Sequence, residues 1–244
     1  SKGKIRMKKL LVLLFLTAFA RHSAGEILEI YTWKPYPGKA EQLLRDMSEA
    51  GRIHSELGIS VTISALSLGN AGDVDYVLSY EDLESWGRLK DANAQSAEWN
   101  TFLAKTRANP SGELIGSFSL NNHDLSNRSN PFSEPGQIVA FFRWEPAQGR
   151  AGSAALRQGF TTAKGIHESL GARVESYQVM NGQEGVRDMM YMMIYDSYSH
   201  MASVNEAMLS NPEWMAFQQS VDAQPSQAAT LLRSGLAVMV ASFE

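Results

Sequence analysis

The chain has 244 residues, of which 44% are hydrophobic and 20% charged, and this balance is typical of a folded globular protein rather than a disordered one. Its formal net charge of -4 disfavours a nucleic-acid-binding protein, because such proteins normally carry a basic surface. The sequence contains no cysteine, which excludes disulfides, thiolate metal sites and a cysteine nucleophile.

Residues 1–25 have the features of a leader with a secretory signal peptide that starts at Met7. Two lysines follow Met7, an apolar run covers 10–16, and an Ala-x-Ala site ends at Ala20. The apolar run is shorter than the about 20 residues that a membrane-spanning helix needs. We therefore expect cleavage after Ala20 and a periplasmic or secreted protein with no stable membrane span, the alternative being an uncleaved membrane anchor.

The sequence after the leader predicts alternating strands and helices. Residues 27–33 alternate between two faces in the manner of a strand, which Pro35 ends. Apolar residues at helical spacing predict a helix over 38–57, which Gly58 ends as a left-handed cap residue would. The remaining elements predicted before residue 121 are strands at 59–68, 74–80 and 113–120 and a helical region, in two pieces, at 82–107.

Residues 121–136 are rich in Asn, Ser and Pro and predict a polar linker. After the linker the same order of elements recurs, with strands near 137–144, 172–180, 188–195 and 235–243.

The two parts of the chain also align residue by residue. Trp33-Lys34-Pro35 matches Trp144-Glu145-Pro146. The matched pairs that follow are His54 with His167, Asp73 with Asp188, Tyr76 with Tyr191, Tyr80 with Tyr195, and Trp99 with Trp214. We interpret this order as a tandem duplication, with a first module at 26–120 and a second at 137–244.

The order strand, helix, strand, strand, helix, strand predicts an antiparallel four-stranded sheet with both helices on one face. The other face of each sheet is still apolar and must be covered, and two such sheets facing each other would cover both. The predicted fold class is α+β, with two tandem ferredoxin-like βαββαβ modules whose antiparallel sheets pack as a pseudo-dimeric α/β barrel.

Three short segments carry a resemblance to a known family. They are the strand ends Trp33-Lys34-Pro35 and Trp144-Glu145-Pro146 and, late in the second module, Ser210-Asn211-Pro212-Glu213-Trp214. With these features the chain resembles the dimeric α/β-barrel superfamily and, within it, the NIPSNAP-like proteins, over nearly all of its length after the leader. The resemblance implies the fold. For function it implies only a range that includes cofactor-free monooxygenases, haem-binding or haem-degrading enzymes and small-molecule isomerases.

His54 and His167 are the candidate catalytic residues, because each lies four residues before the glycine that ends the long helix of its module. An imidazole can act there as a general base or as a haem ligand. The alternative is a structural role at the helix C-terminus, where a histidine interacts with the dipole and the last carbonyls.

The candidate ligand-binding residues are aromatic or thioether side chains. A tryptophan in the second helical region of each module could line a pocket or anchor the helix on the sheet. In the second module, Met190, Met192 and Ile194 replace Asp75, Val77 and Ser79, which indicates core filling, an apolar pocket or a Cu(I) site. The full set is Trp33, Tyr76, Trp99, Trp144, Met190, Tyr191, Met192 and Trp214.

Three functions stay open. The first is the binding of a small apolar or aromatic ligand in the barrel cavity. The second is a cofactor-independent or haem-linked monooxygenase, whose site we expect in the first module because that module keeps Glu29, Asp75 and Ser79. The third is a structural or assembly module. The spacing of the histidines predicts no zinc site, no motif identifies a cofactor, and haem and homo-oligomerisation are left open.

Overall fold

The structure is a computed structural model that describes residues 26–122, 124, 134–182 and 185–244. The predicted signal peptide and most of the predicted linker lie outside these residues. Within them, no helix combines the length and the apolar character needed to cross a membrane.

Eight strands and six helices make up the described part of the chain. The first half contains β1 (Ile27–Pro35), α1 (Ala40–Glu56), β2 (Ser60–Leu68), β3 (Val74–Tyr80), α2 (Leu83–Gln95), α3 (Ala97–Ala108) and β4 (Gly112–Asn122). The second half contains β5 (Ile138–Pro146), α4 (Gly149–Ser169), β6 (Arg173–Gly182), β7 (Met189–Tyr195), α5 (Tyr198–Ser210), α6 (Pro212–Asp222) and β8 (Ala229–Phe243).

The predicted order of elements is confirmed, and two of the boundaries are corrected. The strand β4 continues to Asn122, so that it includes the first two residues of the predicted linker. The strand β8 begins at Ala229, six residues before the predicted 235, because it pairs with the whole length of β5 as far as Pro146.

The two shorter helices of each half begin at side-chain caps that recur in both halves. Asp82 and Ser197 begin α2 and α5 by accepting a hydrogen bond from the backbone N–H three residues further on. Ser96 and Asn211 begin α3 and α6 in the same way, and in both cases the donor is the backbone N–H of a tryptophan. Each cap satisfies one of the backbone donors that a helix start leaves unpaired. The shared caps bring the two tryptophans to equivalent places on the two halves.

The strands form one closed antiparallel barrel in the order β1-β3-β2-β8-β5-β7-β6-β4. Each half contributes four neighbouring strands in the ferredoxin-like order, β4-β1-β3-β2 and β8-β5-β7-β6. The predicted α/β barrel of two ferredoxin-like modules is confirmed, and its two sheets join at their edges, since β2 pairs with β8 and β4 pairs with β6. This pairing removes the exposed strand edges that open sheets would leave.

The interior of the barrel is packed with side chains. Its cluster of buried residues is Leu28, Ile30, Leu66, Val77, Phe118, Leu120, Val139, Phe141, Tyr177, Val179, Met190, Met192, Ile194 and Met239. The space left among them has a volume of about 40 Å³, enough for a few water molecules at most. The prediction of a ligand cavity inside the barrel is therefore wrong in its location, because the inward side chains of both halves interdigitate and fill the interior.

The helices cover the outer face of the barrel, and a second layer of core lies beneath them. Under α1, α2 and α3 this layer includes Ile53, Ile63 and Leu78. Under α4, α5 and α6 it includes Val174 and Met193. Each half therefore has its own core between helices and sheet, in addition to the interior that the two halves share.

Candidate functional site

Two cavities lie between the outer face of the barrel and the helices, one in each half. The C-terminal cavity is enclosed by β5, β7 and helices α4, α5 and α6, and its volume is about 1070 Å³. The N-terminal cavity is enclosed by β1, β3 and helices α1, α2 and α3, and its volume is about 550 Å³. Both volumes lie near the range of about 300–1,000 Å³ that is usual for small-molecule sites.

In the N-terminal cavity, His54 near the end of α1 contacts two aromatic residues. Its Nδ1 lies 2.7 Å from the hydroxyl of Tyr76 on β3. Its ring packs against Trp99 of α3, with the ring centroids 4.3 Å apart. His54 is only 2% exposed, and its Nε2 has no hydrogen-bond partner among the described residues.

The C-terminal cavity contains the same arrangement. The Nδ1 of His167 lies 2.8 Å from the hydroxyl of Tyr191 on β7, and its ring packs against Trp214 of α6 at 4.7 Å. His167 is 5% exposed, and within the described part of the chain its Nε2 is also without a partner. Each half thus holds a buried histidine, tyrosine and tryptophan in contact.

The hydrogen bonds favour one tautomer of each histidine. A buried tyrosine hydroxyl needs an acceptor for its single proton. Among the described contacts, the hydroxyl of Tyr191 has only Nδ1 of His167 as its partner. Donation from Tyr191 to Nδ1 satisfies both atoms, whereas the reverse direction would leave the hydroxyl proton and Nε2 both unpaired. The imidazole proton is therefore on Nε2, which is a free donor on a residue that lines the cavity.

Both histidines are neutral at pH 7. Burial lowers the pKa of His167 to about 4, and burial together with the positive charge of Lys90 lowers the pKa of His54 to about 4. Burial also raises the pKa of Tyr191, so that its hydroxyl keeps its proton. With Nδ1 occupied and Nε2 protonated, each imidazole is better suited to donate a hydrogen bond than to act as the general base that the sequence suggested.

The lining of the C-terminal cavity is aromatic and thioether-rich. Among the described residues that line it there is no lysine or arginine, and Asp222 is its only carboxylate. Its large apolar side chains are Phe142, Trp144, Leu156, Phe160, Tyr191, Met193, Tyr195, Met201, Met208, Trp214 and Phe217. This lining favours an uncharged ligand, because an anionic group would lose hydration without gaining a cationic partner. A cationic group would find only Asp222, which is exposed at the end of α6.

The predicted ligand-binding residues fall into three places. Trp33, Tyr76 and Trp99 line the N-terminal cavity. Trp144, Tyr191 and Trp214 line the C-terminal cavity. Met190 and Met192 instead point into the barrel interior, away from both cavities. The prediction treated these residues as one site, because the sequence does not show which face of a strand becomes the inside of a barrel.

The predicted polar cavity of the first module is corrected for the same reason. Asp75 lines the barrel interior and accepts a hydrogen bond of 2.6 Å from Thr32. Glu29 is on the outer face of β1, because it is an odd number of residues from the inward Leu28 and Ile30. Its carboxylate accepts hydrogen bonds there from Tyr31, Tyr80, Trp86 and Lys90.

Sequence reasoning identified the histidines and tryptophans on the helices but missed other cavity residues there, above all Lys90 and Asn93. Lys90 and Asn93 on α2 and Met201 and Met208 on α5 all line the cavities. The matched spacing of the two halves could have indicated them, since Lys90 and Asn93 align with Asn205 and Met208 at the same interval as Trp99 with Trp214.

The residues that line the C-terminal cavity do not fit haem. The Nε2 of His167 is the kind of nitrogen that binds haem iron, and the C-terminal cavity is large. However, no lysine or arginine is among the described residues that line this cavity, so the two propionates of haem would lack cationic partners there. Nor do the described residues contain a group of three or more His, Cys, Asp or Glu side chains that could hold a metal ion.

Comparison with known proteins relates the chain to solved structures through its fold. No protein-family model matches the chain, and no curated protein sequence matches it either. A "putative monooxygenase" from Fusobacterium nucleatum aligns with a TM-score of 0.57 and 10% identity, over 90% of this chain and 94% of that chain. A "putative monooxygenase" from Lactobacillus acidophilus has a TM-score of 0.54 and 9% identity, over 90% and 96% of the two chains.

An anthrone oxidase-like protein aligns with a TM-score of 0.56 and 12% identity, over 89% of this chain and 92% of that chain. A NIPSNAP family protein from Agrobacterium tumefaciens is 20% identical but matches 43% of this chain, with a TM-score of 0.34. That match is too limited to place the chain nearer to NIPSNAP-like proteins than to others of this architecture. At identities of 9–12% the long alignments establish the fold alone: the chain is a dimeric α/β barrel of the ferredoxin-like type, with both halves in one polypeptide.

Proposed function

We propose that the protein binds a small, uncharged aromatic molecule in the C-terminal cavity. The observation that carries this proposal is the lining of that cavity, which combines a volume of about 1070 Å³ and many aromatic and thioether side chains with one buried Nε2 on His167 that has no partner among the described residues. Binding sites of this kind are mostly apolar, with a few polar groups that orient the ligand.

His167 indicates what the ligand carries. An unpartnered N–H that is buried costs about 1–3 kcal/mol, and a ligand that accepts a hydrogen bond from it recovers this cost. A carbonyl, quinone or phenol oxygen on a flat aromatic body supplies such an acceptor without adding a charge. The thioethers of Met201 and Met208 adapt to ring systems of different outline.

The cavity also extends to the protein surface, which gives a ligand a route to it. Val221 lines the cavity near the end of α6 and is 45% exposed. Gln224, which follows α6, belongs to the lining as well and is exposed. A ligand can therefore enter beside the end of α6 without opening the barrel.

Binding is tested with 9-fluorenone, a flat uncharged aryl ketone, and with fluorene, which lacks the oxygen. We expect fluorenone to quench tryptophan fluorescence with a dissociation constant lower than that of fluorene. Gly159→Leu should weaken fluorenone binding about tenfold or more, because Gly159 lines the cavity and a side chain added there meets open space.

Gly165→Leu is the matched control, since Gly165 is on the same helix α4, also has open space around it and is not among the lining residues of the cavity. We expect its affinity to stay within twofold of the parent protein. Equal losses in both variants, or no binding of either compound, would contradict the proposal and leave the structural or assembly role as the better explanation.

A second candidate is a cofactor-independent monooxygenase reaction in the same cavity. The neutral Nε2–H of His167 supports it, because such a donor can stabilise an oxyanion that develops on a substrate oxygen. The solved structures of this fold include two described as "putative monooxygenases" and one anthrone oxidase-like protein, and this support is an analogy of fold.

Anthrone is a direct probe of that reaction. One oxygen atom of O₂ would become the new carbonyl of anthraquinone, and the other would leave as water with the two hydrogens of the methylene group. We expect oxygen uptake above the uncatalysed rate, reduced at least tenfold in His167→Phe, while fluorene binding persists in that variant. Oxygen uptake equal to that of the buffer blank would reject the monooxygenase reaction and would leave the binding proposal unaffected.

Export is a separate part of the proposal and rests on the basic start, apolar run and Ala-x-Ala site of residues 7–20. Expression of the full chain in a bacterial host, followed by fractionation and N-terminal sequencing, tests it. We expect a periplasmic or medium fraction that begins after Ala20. A cytoplasmic protein that retains Met7 would reject export.

A further inference from the structure

We infer that the N-terminal cavity is a second binding site, which takes a smaller aromatic ligand that carries a carboxylate, so that the two halves of the barrel hold ligands of different charge. This inference does not depend on the function proposed for the C-terminal cavity, because different residues carry it.

The two cavities have the same arrangement of residues on the side that faces the barrel. In each, a histidine at the end of the long helix contacts a strand tyrosine and a helix tryptophan. In the N-terminal cavity Trp99 also stacks on Phe102, with ring centroids 5.2 Å apart and an interplanar angle of 22°. Flat aromatic walls of this kind suit a flat ring. The volume of about 550 Å³ is roughly half that of the other cavity, which favours the smaller ligand.

The cavities differ at two positions on the helix that covers them. The N-terminal cavity has Lys90 and Asn93 where the C-terminal cavity has Asn205 and Met208. The Oδ1 of Asn93 is buried and lacks a partner among the described residues, as does the Nε2 of His54. Two unpartnered polar atoms in one cavity indicate that something else satisfies them, because each costs about 1–3 kcal/mol when left unpaired.

The charges of the two linings are opposite. Lys90 and Arg107 line the N-terminal cavity with one carboxylate, Asp46, whereas Asp222 is the only charged side chain among the described residues that line the C-terminal cavity. Asp46 accepts a hydrogen bond from Ser111 at 2.6 Å. Burial lowers the pKa of the His54 imidazole, and the nearby positive charge of Lys90 lowers it further.

Lys90 is held in place by its ion pair with Glu29, whose carboxylate also accepts hydrogen bonds from neutral donors. It donates to Glu29 at 2.9 Å, and Glu29 also accepts hydrogen bonds from Trp86 at 2.8 Å and Tyr31 at 3.0 Å. An ammonium group has three N–H donors, so Lys90 can bind a ligand carboxylate while it keeps its bond to Glu29. A ligand with a protonated group would in turn donate to Asn93.

The probes for this site are 1-naphthoate and 1-methylnaphthalene, which share a ring and differ in charge. We expect 1-naphthoate to bind the parent protein more tightly than 1-methylnaphthalene does at the N-terminal site, measured by calorimetry and by quenching of tryptophan fluorescence. The double variant Lys90→Asn with Asn93→Met copies the C-terminal pair and should weaken 1-naphthoate binding about tenfold. Its binding of 1-methylnaphthalene should not fall.

Gly87→Leu is the control, because Gly87 is on α2 with open space around it and is not a lining residue of either cavity. If the double variant does not fold, Arg107→Gln tests the same charge at an exposed position and should weaken 1-naphthoate binding about threefold. The inference is overturned if 1-naphthoate affinity survives the loss of these charges, or if Gly159→Leu abolishes it, since that would place the ligand in the C-terminal cavity.

Discussion

Replacing Glu26 by Gln tests whether a buried carboxyl pair limits stability at alkaline pH. The hydroxyl of Tyr177 lies 3.1 Å from Oε2 of Glu26 and 2.5 Å from Oε2 of Glu175. Burial raises the pKa of Glu175 as well, but Arg173 donates to its other oxygen at 2.8 Å, which favours a negative charge on Glu175 rather than on Glu26. Burial, and after it the charge of Glu175, raises the pKa of Glu26 to about 8. Glu26 is therefore protonated at neutral pH and can donate to Tyr177.

The sign and size of the effect follow from the two pKa values. The pKa of Glu26 is 4.5 when exposed and about 8 in the folded protein, so its contribution to stability is fully present below pH 4.5 and is lost as the pH rises towards 8. The whole loss is on the order of 5 kcal/mol, of which roughly 1.4 kcal/mol falls between pH 7 and pH 9. This is a large share of a typical folding free energy of about 5–15 kcal/mol.

The window above pH 7 separates this carboxyl pair from three other buried groups, Asp75, His54 and His167. Burial raises the pKa of Asp75 to about 6, and it lowers the pKa of His54 and His167 to about 4, so most of the titration of these three groups lies below pH 7. Urea denaturation at pH 7, 8 and 9 then measures how the free energy of unfolding changes with pH in the parent protein and in Glu26→Gln. We expect a decline in the parent and a flatter profile in the variant. Parallel profiles would refute the reasoning.

Three further substitutions are expected to change stability in measurable ways. Tyr191→Phe leaves Nδ1 of His167 without its donor and should cost about 1–3 kcal/mol in urea denaturation; a loss below the error of the method would contradict the buried hydrogen bond. Asp188→Asn weakens a buried pair with Arg143 and should cost up to about 3–5 kcal/mol, and a neutral result would show that Arg143 finds another partner. Gly159→Leu should raise the melting temperature by about 2–4 °C through helix propensity, and a lowered value would mean that the space beside Gly159 is not open.

The order of elements could be predicted because the signals for it are local. The alternation of 27–33 and the helical spacing in 38–57 each depend on a few neighbouring residues. Gly58 ends α1 with a φ of +84°, a backbone conformation that its missing Cβ permits. Such local features predict the same strand, helix or helix end regardless of the tertiary contacts that the segment makes.

The candidate site could be predicted only in part. His54 and His167 were recognisable because they recur at one place in a repeated pattern, and both line cavities. Their hydrogen bonds to Tyr76 and Tyr191 cross from a helix to a strand more than 20 residues further along the chain, so no local spacing indicates them. The unpartnered Nε2 atoms are a property of the assembled cavities and leave no trace in the sequence.

What the sequence by itself determined is the division of each strand into two faces, because side chains alternate with a period of two residues. In β7 it separated Met190 and Met192 from Tyr191 and Met193. Only the tertiary structure decided that the first pair fills the barrel interior and the second lines a cavity beneath the helices. The physical reason is that both faces of the strand are apolar and both become buried, so hydrophobicity cannot distinguish them. Which face lies inside the barrel depends on the pairing of β2 with β8 and of β4 with β6, which closes the barrel.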